Sequence, residues 1–270
     1  MNYWNQSPDN VYVAAHRGWS EKYPENTMEG FRAALTLDVD QLEFDVHMTA
    51  DKHLVIMHDH TVDRTTDGTG LVREKTLEQV RALDAGIKKG SEFAGCKVPL
   101  LEELMELVKD HPTITLDLEL KDYPTEGMES FAYESCDKAL AMIDAYGFTD
   151  RIVVNSWSAK LNEYILAKYG KKYRQHLYYP VSLMGEYSLQ PYSYGYCVCV
   201  FSGQGVKGNR GIGTKEECDM IRSHGLRPWA GTAVKDEETT QKALDACCEL
   251  ITCNNPDEVL EILRAKGKHK

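Results

Sequence analysis

A (β/α)8 TIM barrel is the fold class that this 270-residue sequence predicts, and three observations carry the prediction. Eight short apolar, β-branched runs are spread along the chain, amphipathic segments separate them, and no linker, repeat or low-complexity tract divides it. With 42% apolar residues, a chain of this length can bury a full core as one domain over residues 1–270. A doubly wound open sheet is the other arrangement compatible with the alternation, because the order of elements does not prove closure.

The first strand is expected at Val11–Ala15, followed by helical spacing over Asn26–Thr36. Gln41–Met48 is the second strand, in which Leu42, Phe44 and Val46 alternate with Glu43 and Asp45. Residues i and i+2 of a strand share a face, so the two carboxylates point together. Leu54–Met57 returns after only Thr49–Lys52, too soon for a helical crossover, and residues 49–60 read as a hairpin-like extension. A polar, glycine-punctuated insertion then spans roughly residues 61–98, before Pro99 opens the helical pattern Leu100–Asp110. The remaining strands are expected at Ile114–Lys121, Ile152–Asn155, Gln175–Tyr179, Tyr196–Phe201, Leu226–Ala230 and Glu249–Cys253. Helical patterns at Glu129–Tyr146, Ala159–Tyr169, Thr214–His224 and Glu237–Ala246 lie among them, the third opened by a Thr214/Glu217 capping box.

Charge narrows the function. The formal net charge of −11 disfavours nucleic acid as a partner, since phosphate backbones need basic patches. An acidic chain that handles phosphate must focus positive charge locally, through Arg17, Lys121 and a metal. No run reaches the ~18 apolar residues of a membrane span, and residues 1–13 lack the pattern of a secretion signal. A cytoplasmic location is the expectation, and with it eight reduced, mostly buried cysteines. Gly203–Gly208 spells GxGxxG, but it follows a late strand and reads as a glycine-rich loop at the barrel rim.

The residues that carry chemistry stand at strand ends. His16 and Arg17 follow the first strand, and His58 follows Leu54–Met57. The carboxyl ends of barrel strands face the active site. Hydrolysis of a phosphodiester needs one group to deprotonate the attacking oxygen and another to protonate the departing alkoxide, and a histidine pair supplies both near neutral pH. Glu119 and Lys121 share a face as Glu43 and Asp45 do, with Asp117 deeper. Carboxylates crowded into a barrel lose hydration at a cost of several kcal/mol each. A hard divalent cation relieves this, and all-oxygen ligation favours Mg²⁺ or Ca²⁺ over zinc. Arg17 offers forked donors to phosphate oxygens and Lys121 a point charge. The plainer expectations are a salt bridge from Arg17 to Glu25 and pairing of Lys121 with the inward carboxylates.

The motifs in order are His16-Arg-Gly18, Pro24-Glu-Asn-Thr27, Glu43-x-Asp45 and His58-Asp59, followed by Arg64-Thr-Thr-x-Gly-x-Gly70. Together they resemble the glycerophosphodiester phosphodiesterase family. The resemblance is densest over residues 14–70, recurs at 116–121 and fades beyond 225. It implies a barrel enzyme that hydrolyses deacylated phospholipids to sn-glycerol 3-phosphate and an alcohol, with a small-molecule substrate as its partner. It also implies metal ligands at Glu43, Asp45 and Glu119, acid–base roles for His16 and His58, and a place near the metal or glycerol for Glu25. Trp229 falls in the region of the family's W-T-V-N motif, from which Trp-Ala-Gly-Thr-Ala-Val-Lys departs, and is expected at the site wall, with plain core burial as the alternative. Cys253 falls where the family's I-T-D-x-P carries an aspartate. Asn26 or Thr27 is expected to cap the following helix. Lysophospholipid- or sphingomyelin-cleaving relatives and a non-catalytic phosphate-binding barrel are the alternatives.

Overall fold

The computed structural model describes residues 4, 7, 9–202 and 211–270; the Gly203–Gly208 motif therefore lies outside the described residues. Among the described residues ten strands form in chain order: β1 (Tyr12–His16), β2 (Gln41–Met48), β3 (Leu54–Ile56), β4 (Thr115–Leu120), β5 (Ile152–Asn155), β6 (Arg174–Tyr179), β7 (Cys197–Ser202), β8 (Gly211–Ile212), β9 (Arg227–Ala230) and β10 (Leu250–Cys253). Eight of them pair in parallel in the order β1-β10-β9-β7-β6-β5-β4-β2, and β2 returns to β1, which closes the barrel. The open-sheet alternative is thereby excluded. β3 folds back antiparallel on β2, and β8 does the same on β7.

The helices are α1 (Met28–Leu35), α2 (Leu77–Ala82), α3 (Leu101–Lys109), α4 (Glu129–Ala145), α5 (Ala159–Tyr169), α6 (Lys215–Ser223), α7 (Glu237–Asp245) and α8 (Pro256–Ala265). Apart from α2, their apolar faces meet the outward residues of the strands in one ring-shaped core. Phe31 of α1 packs edge-on against Phe44 of β2 at 6.4 Å, for example. Burying one such side chain contributes about 1.5–3 kcal/mol. α8, absent from the sequence expectations, starts on Pro256 and buries Val259, Leu260 and Leu263. The Thr214–Glu217 capping box is present at the start of α6.

Residues 61–98 are not a bare loop. Val62, Val72, Val80, Ala85 and Val98 pack with Val55 and Met57 into a second small core. α2 stands within this segment behind a Thr76/Gln79 capping box. Tyr23 meets Phe93 at 5.6 Å, which docks the segment on the loop after β1.

Register decides what meets inside. His16 pairs with Glu43, Glu43 with Asp117, and Asp45 with Glu119. Alternation turns all five inward, so strands β1, β2 and β4 deliver a histidine and four carboxylates to adjacent layers of one barrel.

Candidate active site at the barrel mouth

His16 is the last residue of β1, and the chain turns sharply behind it. Arg17 (φ 58°) and Gly18 (φ 80°) are both left-handed, a conformation that costs a residue with a side chain about 1–2 kcal/mol. A Cβ on Gly18 would lie 2.7 Å from the carbonyl carbon of Gly30, so glycine is what lets this turn press against α1. Glu43 holds the turn from below: the Arg17 backbone N–H donates to its carbonyl at 3.0 Å and to Oε2 at 2.9 Å.

Asn26 is also left-handed (φ 55°), and its Nδ2 donates to Asp45 Oδ2 at 2.7 Å. The cap of α1 falls to Thr27, whose Oγ1 accepts from the Gly30 N–H at 3.2 Å. Asn26 is thus an arm of the acidic site.

Glu43, Asp45 and Glu119 each offer a carboxylate oxygen within 4.8 Å of the other two, and all three are buried. The Lys121 ammonium lies 3.0 Å from Asp45 Oδ1 and bonds Glu119 Oε1, while Arg17 Nε lies 3.2 Å from Asp45 Oδ2. Burial pushes Glu43 well above the usual carboxylate range, with the Asp45 charge adding to it, and raises Glu119 as well. Burial would do the same to Asp45, but Lys121 and Arg17 outweigh it and hold that carboxyl below the usual range. Three carboxylates against two cations leave a deficit of positive charge in a dry place. Hard oxygen donors at this spacing suit a divalent cation such as Mg²⁺ or Ca²⁺. Below them Asp117 accepts from Asn155 Nδ2 at 2.6 Å and His176 Nδ1 at 2.8 Å, so it belongs to the barrel interior.

The two histidines are oriented alike. His16 Nδ1 meets Asn254 Oδ1 at 2.6 Å, and His58 Nδ1 meets Asp59 Oδ1 at 2.6 Å. Both partners are acceptors, which places the proton on Nδ1 and leaves Nε2 as the basic nitrogen. His16 Nε2 stands 3.9 Å from Glu43 Oε2. Burial, with Arg17 alongside, pushes the His16 imidazole down to about 3; burial also lowers His58.

Glu25 links the two histidine loops. It accepts from Arg17 Nη1 at 2.9 Å and from two Arg64 nitrogens at 2.8 Å, and Arg64 Nε donates to Asp59 Oδ2 at 2.7 Å. The structure therefore gathers His16, Arg17, Glu25, Glu43, Asp45, His58, Glu119 and Lys121 at one mouth. The plainer expectations for Arg17 and Lys121 hold alongside, since both make the ion pairs named above.

For Trp229 the structure favours the second of its two expectations, core burial. The residue is 2% exposed, packs with Ala14, Val153, Cys197 and Leu250 inside the barrel, and meets the His176 ring edge-on at 4.8 Å. Cys253 turns into the outer core, and the next residue, Asn254, reaches the site. Counting back from Pro256 rather than forward from Thr252 would have found it. Arg64 opens the Arg64–Gly70 motif, which by itself points to no role for it. Tyr178, one of the tyrosines between 178 and 196 expected either on the alcohol side of the site or in strand packing, donates from its hydroxyl to Asn155 Oδ1 at 3.0 Å and stacks on Trp157 at 3.8 Å.

The described residues contain no helix long and apolar enough to cross a membrane. No disulfide joins the eight cysteines, of which seven are buried and Cys247 is exposed.

Comparison with known proteins places this geometry. The model of the glycerophosphoryl diester phosphodiesterase family matches residues 16–257. A glycerophosphodiester phosphodiesterase from Caldanaerobacter subterraneus subsp. tengcongensis is 34% identical over 94% of this chain and 98% of its own. Among solved structures, the glycerophosphodiester phosphodiesterase of Agrobacterium tumefaciens superposes with a TM-score of 0.73 at 22% identity, covering 92% of this chain and 98% of that one. An Oleispira antarctica phosphodiesterase, in complex with the product sn-glycerol-3-phosphate, does so with a TM-score of 0.77 at 22% identity, over 94% and 97% of the two chains. The family match over nearly the whole chain and the full-length likeness agree with the barrel and its mouth: this chain belongs to the glycerophosphoryl diester phosphodiesterase family.

Proposed function

We propose that this protein hydrolyses glycerophosphodiesters, the deacylated phospholipids such as glycerophosphoethanolamine or glycerophosphocholine, to sn-glycerol 3-phosphate and an alcohol. The observation that carries the reading is the pair of histidines with Nδ1 held on an acceptor, set beside a buried carboxylate triad. The product held by the Oleispira neighbour agrees with it.

In this reading Glu43, Asp45 and Glu119 hold the divalent cation, Mg²⁺ or Ca²⁺. When bound, it neutralises phosphate charge and stabilises what builds up during transfer. Arg17 grips the non-bridging oxygens, its guanidinium kept in place by Asp45 and Glu25. Lys121 adds a second positive charge from the far side of Asp45. One histidine takes the proton of the attacking oxygen at Nε2, and the other delivers a proton to the leaving alkoxide. Asn254 and Asp59 fix the tautomers that make this exchange possible. Glu25 lines the mouth between the two histidine loops, and the depth of Trp229 makes it a support beneath the site.

Phosphorus NMR of glycerophosphoethanolamine with chelator-stripped protein tests the reading. Adding Mg²⁺ or Ca²⁺ is expected to produce the glycerol 3-phosphate signal. An unchanged diester with both metals, and with glycerophosphocholine as well, would remove the proposal.

A further inference from the structure

A cavity of about 160 Å³ opens at the barrel mouth beside Glu25, lined by Ser20, Glu25, Arg64, Lys88 and Lys89 among others. It adjoins the proposed site through a direct chain: Asp45 pairs with Arg17, Arg17 with Glu25, and Glu25 with Arg64. Arg64, Lys88 and Lys89 stand at its wall against Glu25, with Asp59 behind Arg64, so the two lysines outweigh what the carboxylates and Arg64 leave, in a chain whose formal charge is −11. Charge of one sign gathered in a cleft raises the local concentration of the opposite ion.

The lysines are presented by a braced turn. Asp84 accepts the backbone N–H groups of Gly86 at 2.9 Å, Ile87 at 3.0 Å and Gly95 at 2.7 Å. A Cβ on Gly86 would lie 1.9 Å from the Phe93 carbonyl oxygen, so the two arms of the turn are in close contact. Lys89 Nζ donates to the Ser20 and Glu21 carbonyls at 2.8 and 2.7 Å, which ties the turn to the loop after β1. Lys88 Nζ bonds the Asp63 carbonyl, and among the described residues no carboxylate forms an ion pair with it. A preorganised cation costs less ordering entropy on binding than a free side chain.

We infer that this cavity is an anion subsite for the alcohol part of the substrate, selecting diesters whose alcohol carries a carboxylate or a second phosphate. The inference rests on the proposed hydrolase activity and narrows its substrate class. Lys88 supplies the charge and the donor, Lys89 positions the turn, and Arg64 forms the wall while held between Glu25 and Asp59.

The test is kcat/KM for glycerophosphoserine against glycerophosphocholine, in the intact protein and in Lys88→Ala and Lys88→Glu variants, with bound metal. The intact protein is expected to favour glycerophosphoserine, and the preference should shrink about fivefold in Lys88→Ala and reverse in Lys88→Glu. Raising salt from about 0.1 to 1 M should erode the preference too, since the subsite is open to solvent. An intact protein with no preference, or a ratio unmoved by charge reversal at Lys88, would overturn the subsite while leaving the activity standing. Failure on both substrates would instead overturn the activity reading, and the subsite with it.

Discussion

The two sides of the barrel interior are built from opposite materials. Strands β1, β2 and β4 turn His16, Glu43, Asp45, Asp117 and Glu119 inward, and β7, β9 and β10 turn in Cys197, Trp229 and Leu250. The charged side survives burial because each group has a partner within reach: Asp45 has Lys121, Arg17 and Asn26, and Asp117 has Asn155 and His176. The apolar side needs no such pairing and contributes through packing. His176 joins the two, bonded to Asp117 and edge-on to Trp229. The contrast teaches that chemistry and stability are divided around the ring, and substitutions on each side should separate them.

The largest expected effect is on the charged side. His16→Ala should lower kcat by about 10²–10⁴-fold while leaving the unfolding midpoint and metal affinity near those of the parent. Stopped assays with calorimetric titration of the metal would check both. Turnover that persists undiminished would take His16 out of the chemistry and break the division.

On the apolar side, Trp229→Ala should cost about 3–5 kcal/mol of stability through the cavity it leaves. KM, measured well below the melting temperature, should stay within about twofold if the residue acts only as a support. A raised KM with stability intact would move Trp229 back to the wall of the site.

The smallest effect belongs to the rim. Arg64, followed by His58, holds the Asp59 carboxyl below its usual range once the opposing effect of burial is overcome. A carboxyl depressed in the folded state adds stability above its unfolded pKa of about 3.9, and loses it as pH falls toward the folded value. Solvent screening at this half-exposed pair keeps the contribution below about 1 kcal/mol. Urea melts should therefore show Asp59→Asn slightly less stable than the parent at pH 7, with the gap closing below about pH 4. A gap that widens in acid would contradict the pairing.

Much of this site was legible before the fold. Glu43 and Asp45 share a face because strand side chains alternate, and the same rule aligns Glu119 with Asp117. His16 and His58 stand at the ends of apolar runs, and the order of the motifs named the family that the comparison then established. These are local properties: periodicity, spacing and residue type travel with the chain.

What tertiary structure alone decided depends on residues far apart in sequence. Closure rests on β2 returning to β1, and no strand carries a signal for its neighbour across the ring. Asn26 reads as a helix cap until its backbone is seen in the left-handed region, where its side chain swings to Asp45. Asn254 reaches His16 across 238 residues, and the extra residue before Pro256 hid it from motif counting. Arg64 bridges Glu25 and Asp59 only because the segment over residues 61–98 builds a core of its own and docks beside the first loop. The depth of Trp229 followed from where β9 sits in the barrel stagger. Sequence alone determined which chemical groups were present and which way each strand pointed them. The Arg17–Glu25 and Lys121 pairs were legible too, but the other partners of the buried charges, Asn26 and Asn254 among them, were chosen by packing, because desolvation and hydrogen bonding act through space and not along the chain.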